Sequence, residues 1–345
     1  MISFIKLIRL PNLLIMAFTQ YMVRYCVLIP NLNLKAYDAD YSLLTVQMTE
    51  FNFFLLILST MFIGAAGYII NDYFDVSIDR INRPDSNVVG KSVKRRIAMI
   101  SHIIFNFIGV SLGIYLSWKY NFLRLGSMIF ISAPLLLWFY STNLKRRFLI
   151  GNLVIALLSG IVPLVVILFE IPNIYKAFPM LVSSGKLDLS DVLIVVLAIS
   201  LFAFIITLLR EIIKDVEDYE GDNEYGCKTM PISIGIAKTK WLMVGICVLI
   251  IALIGWVQFQ QYHGTFLPSS FEDQDLPWIF AIPFYLYSFF TLQLPLIFLS
   301  YRLFCAKGKN DWRFASFILK LVMIAGISYL FLYGHGIHRI IELNL

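Results

Sequence analysis

FNFFLLILSTMFIGAAGYIINDYFDVSIDRINRP, residues 51–84, opens with twenty uncharged residues and closes on three aspartates. About twenty apolar residues cross a bilayer as a helix, so 51–70 reads as a membrane span. Beyond it, Asp72, Asp75 and Asp79 stand at i, i+3 and i+7, with Asn82 three further on. At about 100° per residue all four fall within roughly 80° of one another on a helix. Three carboxylates on one face repel each other unless positive charge lies between them. A second stretch, KDVEDYEGD at 214–222, repeats the spacing with Asp215, Asp218 and Asp222. It too follows an uncharged run, at 192–209.

The rest of the chain repeats the apolar theme. Of its 345 residues 59% are hydrophobic and 14% charged, well below the quarter expected of a soluble domain. Nine spans are expected, at about 10–30, 51–70, 97–118, 125–144, 148–169, 192–209, 241–259, 278–301 and 314–334. Backbone groups must be paired within lipid, so these are helices. The expected fold is an all-α polytopic membrane bundle, with 1–345 as one membrane-embedded domain. Pro134, Pro163, Pro283 and Pro295 fall inside spans and are expected to kink them. The longer links are expected at 31–50, 71–96, 170–191, 210–240, 260–277 and 302–313.

Nine spans place the ends on opposite sides. The side that carries the N-terminus and both aspartate ladders holds 20 of the Lys and Arg residues, and the other side 7. Positive charge stays on the cytoplasmic side, so the N-terminus and ladders are expected there and the C-terminus outside. The net charge of +6 is thus a topology signal, and no nucleic acid partner is expected. Cys26, Cys227, Cys247 and Cys305 have no paired or metal-ligand spacing. Arg24, late in the first span, is expected to snorkel to the far interface. His102 and Asn106, one turn apart, are expected to hydrogen-bond between helices.

Carboxylate oxygens are hard ligands that suit Mg²⁺, which commonly bridges carboxylates to substrate phosphates. Two ladders facing one another across a cavity would hold two such ions and clamp a diphosphate as a leaving group. Arg80, Arg83, Lys214 and Lys228 lie beside the ladders and would take remaining phosphate charge. Such a site favours breaking the bond between an allylic isoprenoid and its diphosphate. The lipid tail would lie between helices, and aromatic faces would stabilise a cation.

At these residues the chain resembles the UbiA-type intramembrane polyprenyltransferases. The similarity rests on N-D-x-x-D-x-x-x-D-x-x-N-R-P at 71–84, K-D-x-x-D-x-E-G-D at 214–222, and YSTNLKRRFLIGN at 140–152. It implies nine helices around a central cavity opening near the cytoplasmic side. It also implies Mg²⁺-dependent transfer of a prenyl group from its diphosphate to an acceptor, with membrane lipid as the surroundings and no protein partner. Carried over, Asn71, Asp72, Asp75 and Asp79 would hold one metal ion, and Asp215, Asp218 and Asp222 the other. Asp72, Asp75, Asp215, Asp218 and Tyr140 would form the catalytic set, Tyr140 lining the reacting centre. Arg83, Lys145, Lys214 and Lys228 would bind the diphosphate. One departure is Asp85, where a small or apolar residue is more usual.

The run REIIKDVEDYEGD at 210–222 looks most like the branch that alkylates geranylgeranylglyceryl phosphate. Branches that prenylate hydroxylated aromatic acids for quinones carry related ladders, so that acceptor stays open. Glu211 is a candidate base on the second ladder's face, or a helix-end charge. A secondary transporter binding cations or a phosphorylated solute is a reading of another class. Transporters place such groups near mid-membrane on broken helices, whereas these ladders follow unbroken runs. A phospholipid-type phosphotransferase would carry one continuous aspartate motif rather than two distant ones.

Overall fold

The computed structural model describes residues 2–39, 44–82, 88–262 and 277–343. Among these, nine helices are long and apolar enough to cross a membrane. They are α1 (Leu10–Tyr37), α2 (Glu50–Asn82), α3 (Arg95–Lys119), α4 (Leu123–Thr142) and α5 (Ile150–Ala177). The remainder are α6 (Ser190–Glu217), α7 (Ile236–Gln260), α8 (Ile282–Cys305) and α9 (Lys309–Glu342). All nine expected spans are present, and no strand occurs among the described residues.

Several links prove shorter than expected, because the helices run on past their apolar stretches. α2 has 33 residues, about 50 Å at 1.5 Å per residue, against roughly 30 Å of hydrocarbon. Its last three turns carry the first ladder, so 71–82 is helix rather than link. Val76 anchors this extension, packing in a small core with Leu7, Ile69, Val89 and Val93, and Ile78 is buried as well. α6 likewise continues through Asp215 to Glu217. There the helix stops, with Asp218 at φ −94° and ψ 10° and its N–H donating to the Lys214 carbonyl at 2.8 Å. A separate short helix, Tyr219–Glu224, follows. The second ladder is therefore not the single helical face expected from its spacing.

Two large cores flank the bundle's centre. One joins α1, α2, α5 and the start of α6, while the other joins the end of α6 with α7, α8 and α9. Without a hydrophobic drive between helices in lipid, close approach of small residues matters. At Gly109 a Cβ would lie 3.0 Å from the Ser59 carbonyl, and Ser59 Oγ donates to the Gly109 carbonyl at 2.6 Å. Large apolar side chains such as Phe107, Trp118 and Leu125 point outward, as a lipid-facing surface requires.

Proline shapes two helices through π-turns. Val23–Leu28 and Phe289–Gln293 each end just before a proline, Pro30 and Pro295. A proline has no N–H and its ring crowds the carbonyl four residues back, and the wider turn absorbs both. Pro134, Pro163 and Pro283 remain inside their helices.

Arg24 corrects one expectation. It does not snorkel but is fully buried in the first π-turn. Its Nη1 donates to Glu170 Oε1 at 2.7 Å, and its Nη2 to the Met48 carbonyl at 2.6 Å and Glu50 Oε1 at 3.1 Å. Glu170, on α5, supplies the compensating charge, since a buried ion persists only when paired and hydrogen-bonded. This cluster ties together the end of the bundle remote from the ladders. His102 behaves as expected: its Nδ1 lies 2.9 Å from the Ala66 carbonyl of α2, with Asn106 Nδ2 3.2 Å from its other ring nitrogen.

Candidate active site

The two ladders meet at one mouth because α2 and α6 both end on the same side of the bundle. The connection between α4 and α5 lies between them. A short 3₁₀ turn, Leu144–Arg146, carries Lys145 toward α2, where its ammonium is ion-paired with Asp75 and lies 3.5 Å from Asn71 Oδ1. Between Lys145 and Asn152 the link folds back on itself at Gly151. A Cβ at Gly151 would lie 2.7 Å from Lys145 Cα, so only glycine permits this approach. The next residue, Asn152, donates from Nδ2 to Asp215 Oδ2 at 2.8 Å. One segment thus touches both ladders, a cation on the first and an amide on the second.

Asp72 has a partner that the sequence reading left as a topology charge. Arg9 Nη2 donates to Asp72 Oδ1 at 2.8 Å, and the guanidinium lies 5.0 Å from the Tyr68 ring centre. Burial works against the charge on Arg9, but Asp72 and Tyr68 outweigh it and hold the group more firmly protonated than usual. Arg9 sits in left-handed backbone, φ 51°, immediately before α1. Asn12 Nδ2 donates to the Tyr68 hydroxyl at 3.2 Å on the same wall. The only sequence signal was the run RLPN at 9–12.

The other expected residues fall as follows. Asp79 lies one turn beyond Asp75, partly buried. Asp218 ends α6, and Asp222 belongs to the short helix after it. The backbone carbonyl of Asp222 accepts the Cys227 N–H at 2.9 Å, and burial, with help from the Asp222 charge, pushes the Cys227 thiol up. Lys228 has an exposed side chain, and its N–H donates to the Arg146 carbonyl at 2.8 Å. Lys214 turns to Glu211, which also accepts Arg210 Nη1 at 3.3 Å. Tyr140 lines the cavity described below. Arg83 and Asp85 lie outside the described residues.

Asn82 braces the two ladders against each other. It is 2% exposed, and its Oδ1 accepts the Gly221 N–H at 2.9 Å. Its carbonyl accepts Lys309 Nζ from the start of α9 at 2.7 Å. A Cβ at Gly221 would come within 2.6 Å of the Asn82 amide, so the glycine of the second motif leaves room for the asparagine of the first.

Inward from this mouth runs a cavity of about 480 Å³. Arg9, Asn71, Tyr140, Glu211 and Lys214 line its polar end, and the remainder is largely apolar side chains of the surrounding helices. That division suits a ligand with a charged head and a hydrocarbon tail. Among the described residues no three His, Cys, Asp or Glu side chains gather around one point as a metal cage would need. The first ladder's positive charge comes instead from Arg9 and Lys145.

Known proteins share this organisation. A model of the UbiA prenyltransferase family matches residues 43–324. Digeranylgeranylglyceryl phosphate synthase of Pyrococcus horikoshii is 36% identical over 186 residues, 54% of this chain and 58% of that protein. The match therefore spans little more than half of the relative's length. A solved structure concerned with digeranylgeranylglyceryl phosphate synthase in membranes superposes with a TM-score of 0.55 at 20% identity, covering 95% of this chain and 98% of the other. A UbiA homologue from Archaeoglobus fulgidus bound to DMAPP and Mg²⁺ gives 0.50 at 15% identity, covering 95% and 99%. At these identities the two structures share a fold with this chain.

Proposed function

Since the chain belongs to the UbiA prenyltransferase family, we propose that it transfers a polyprenyl group from an allylic isoprenoid diphosphate to geranylgeranylglyceryl phosphate, in a Mg²⁺-dependent, ether-forming step. The observation that carries this reading is that one segment, residues 145–152, reaches both carboxylate ladders, Lys145 to Asp75 and Asn152 to Asp215, beside a largely apolar cavity whose polar end Asn71, Tyr140 and Lys214 line. The acceptor follows the name borne by the Pyrococcus horikoshii relative.

The donor set fits the metal by its chemistry. Asn71, Asp72, Asp75 and Asp79 on one side, and Asp215, Asp218 and Asp222 on the other, offer oxygen atoms only, as a hard cation prefers. The first ladder also calls for positive charge, which Arg9 and Lys145 supply in this structure. When bound, Mg²⁺ would neutralise the diphosphate and stabilise it as a leaving group.

The chain's own residues do the rest. Lys145 and Lys214, with Lys228 at the surface, receive phosphate oxygens, and the motif gives Arg83 the same role. Tyr140 presents its ring at the reacting carbon, where the negative face of an aromatic ring stabilises a developing allylic cation. The apolar walls hold the tail and exclude water, which would otherwise capture that cation. The carbon–oxygen bond to diphosphate breaks, the acceptor oxygen bonds to the same carbon, and the hydroxyl proton is taken up by the released diphosphate. The chain is an integral multi-pass membrane protein, and the Lys and Arg asymmetry supports placing the ladder side in the cytoplasm.

The test is product identification. Purified protein in detergent receives Mg²⁺, labelled geranylgeranyl diphosphate and, in parallel, geranylgeranylglyceryl phosphate or a hydroxylated aromatic acid. A labelled ether lipid is expected. A prenylated ring instead would keep the reaction and overturn the acceptor, and no product from either would overturn the proposal.

A further inference from the structure

Glu211 is a carboxylate beside a site that receives an anion. It stands four residues before Asp215 on α6, about 6 Å farther in at 1.5 Å per residue. It lines the cavity's polar end together with Lys214, which belongs to the diphosphate clamp. A carboxylate there would repel a diphosphate unless its charge is already neutralised.

Two cations neutralise it. Glu211 Oε1 accepts Lys214 Nζ at 2.5 Å and Arg210 Nη1 at 3.3 Å. Arg210 lines the same cavity, and the Lys214 and Arg210 side chains are only 18% and 14% exposed. The two cations stand at i and i+4, where like charges on a helix repel. Ionisable groups within a membrane bundle persist when they pair with one another. Glu211 offsets the repulsion through a single oxygen atom, and the trio keeps one net positive charge. Arg210 Nε is buried and has no hydrogen-bond partner among the described residues, so the guanidinium retains a donor.

We propose that Glu211 is a positioning residue that holds Lys214 and Arg210 side by side at the cavity's polar end, and that Arg210 thereby joins Lys214 in binding the diphosphate. This rests on the prenyltransferase reading. A guanidinium offers several N–H donors and an ammonium three, and one shared oxygen occupies few of them. Both groups therefore meet the diphosphate with donors to spare. Both are long side chains whose ordering costs entropy, and the bond to Glu211 meets that cost before the substrate arrives. In this scheme Glu211 touches no reacting atom and takes no proton.

The experiment is calorimetric binding of inorganic pyrophosphate with Mg²⁺ to the full chain in detergent, beside steady-state transfer from geranylgeranyl diphosphate to geranylgeranylglyceryl phosphate. Wild type is compared with Arg210→Gln, Lys214→Gln, Glu211→Gln, Glu211→Asp and the double variant of Glu211→Gln with Lys214→Gln. Each single Gln variant should weaken pyrophosphate binding and raise the donor KM by about tenfold, since each loses a charge-assisted contact or its support. The acceptor KM should stay within about twofold. Glu211→Asp keeps the charge and shortens the reach, so it should lose affinity as well. In the double variant Glu211→Gln should add no more than about threefold to the loss from Lys214→Gln, because one acts through the other. A fall in kcat with the donor KM unchanged in Glu211→Gln would make the residue a base and overturn the proposal. Tighter pyrophosphate binding in that variant would make Glu211 a competitor of the diphosphate and overturn it too. So would losses that add in full, or an Arg210→Gln protein that binds as wild type does. Should Glu211→Gln elute unfolded, Glu211→Asp and Arg210→Gln decide the outcome. If wild type binds pyrophosphate and transfers nothing, the enzymatic reading fails, and the binding comparison decides the role of Glu211 on its own. If wild type binds no pyrophosphate, both fail.

Discussion

The two aspartate ladders have the same spacing and different backbones. The first lies on an unbroken helix through Asn82, whereas the second crosses a helix end at Asp218 into a short helix. The difference comes from the residues between the aspartates. Val76 and Ile78 on the extension of α2 are both buried, Val76 in a core with Leu7 and Ile69. The second ladder's tail, YEGDNE, buries only Gly221 and includes a residue that weakens helices. Helical stability in proteins comes mostly from packing such a face, so the second ladder cannot sustain its helix alone. It is held by tertiary contact, through Asn82 on Gly221 and Asn152 on Asp215. Their partners differ in charge as well: Arg9 and Lys145 on the first, and a neutral amide on Asp215. A repeated spacing thus marks repeated chemistry without fixing a repeated structure.

If both ladders serve one clamp, removing the metal should produce the largest effect. Transfer should stop in excess chelator and return with Mg²⁺, as product counting would show; full activity in chelator would break the comparison at its root. Asp72→Ala and Asp215→Ala come next. Each should lower kcat/KM by about 10²–10³-fold or more, despite their different partners, in protein that still elutes as folded. A smaller loss in one would mean that the ladders are unequal.

The third prediction separates their backbones. Gly221→Ala presses a methyl group to within 2.6 Å of Asn82 and should destabilise by about 1–3 kcal/mol, the usual cost of overpacking. Thermal unfolding in detergent would register it, and Asn82→Ala in the same chain should recover part of the loss. Asn152→Ala should have the smallest effect. It removes a group that orients Asp215, and a change of about 10-fold in Mg²⁺ requirement is expected. No change in metal titration would show that the amide does not orient the carboxylate.

The spans and ladders were legible because each is written locally, in runs of twenty uncharged residues and in i, i+3, i+7 spacing. Arg24 was misread because its partner, Glu170, is 146 positions away on another helix. A lone arginine near a span's end reads as an interfacial charge until that partner is known. The contact that holds the second ladder's tail, Asn82 on Gly221, joins residues 139 positions apart and is not written locally. Arg9 was hidden differently, since a cation just before an apolar run is also what topology demands. Lys145 and Tyr140 were found through the family resemblance, and the fold places both beside the ladders' cavity or its mouth.

The central claim is that the two ladders act as one unit on one diphosphate. Mg²⁺-dependent binding of geranylgeranyl diphosphate to wild type, Asp72→Ala, Asp215→Ala and the double variant tests it most directly. Residues that act as a unit are strongly non-additive. The double variant should bind no more weakly than either single one. Losses that add, or a single variant that binds as wild type does, would contradict a shared clamp.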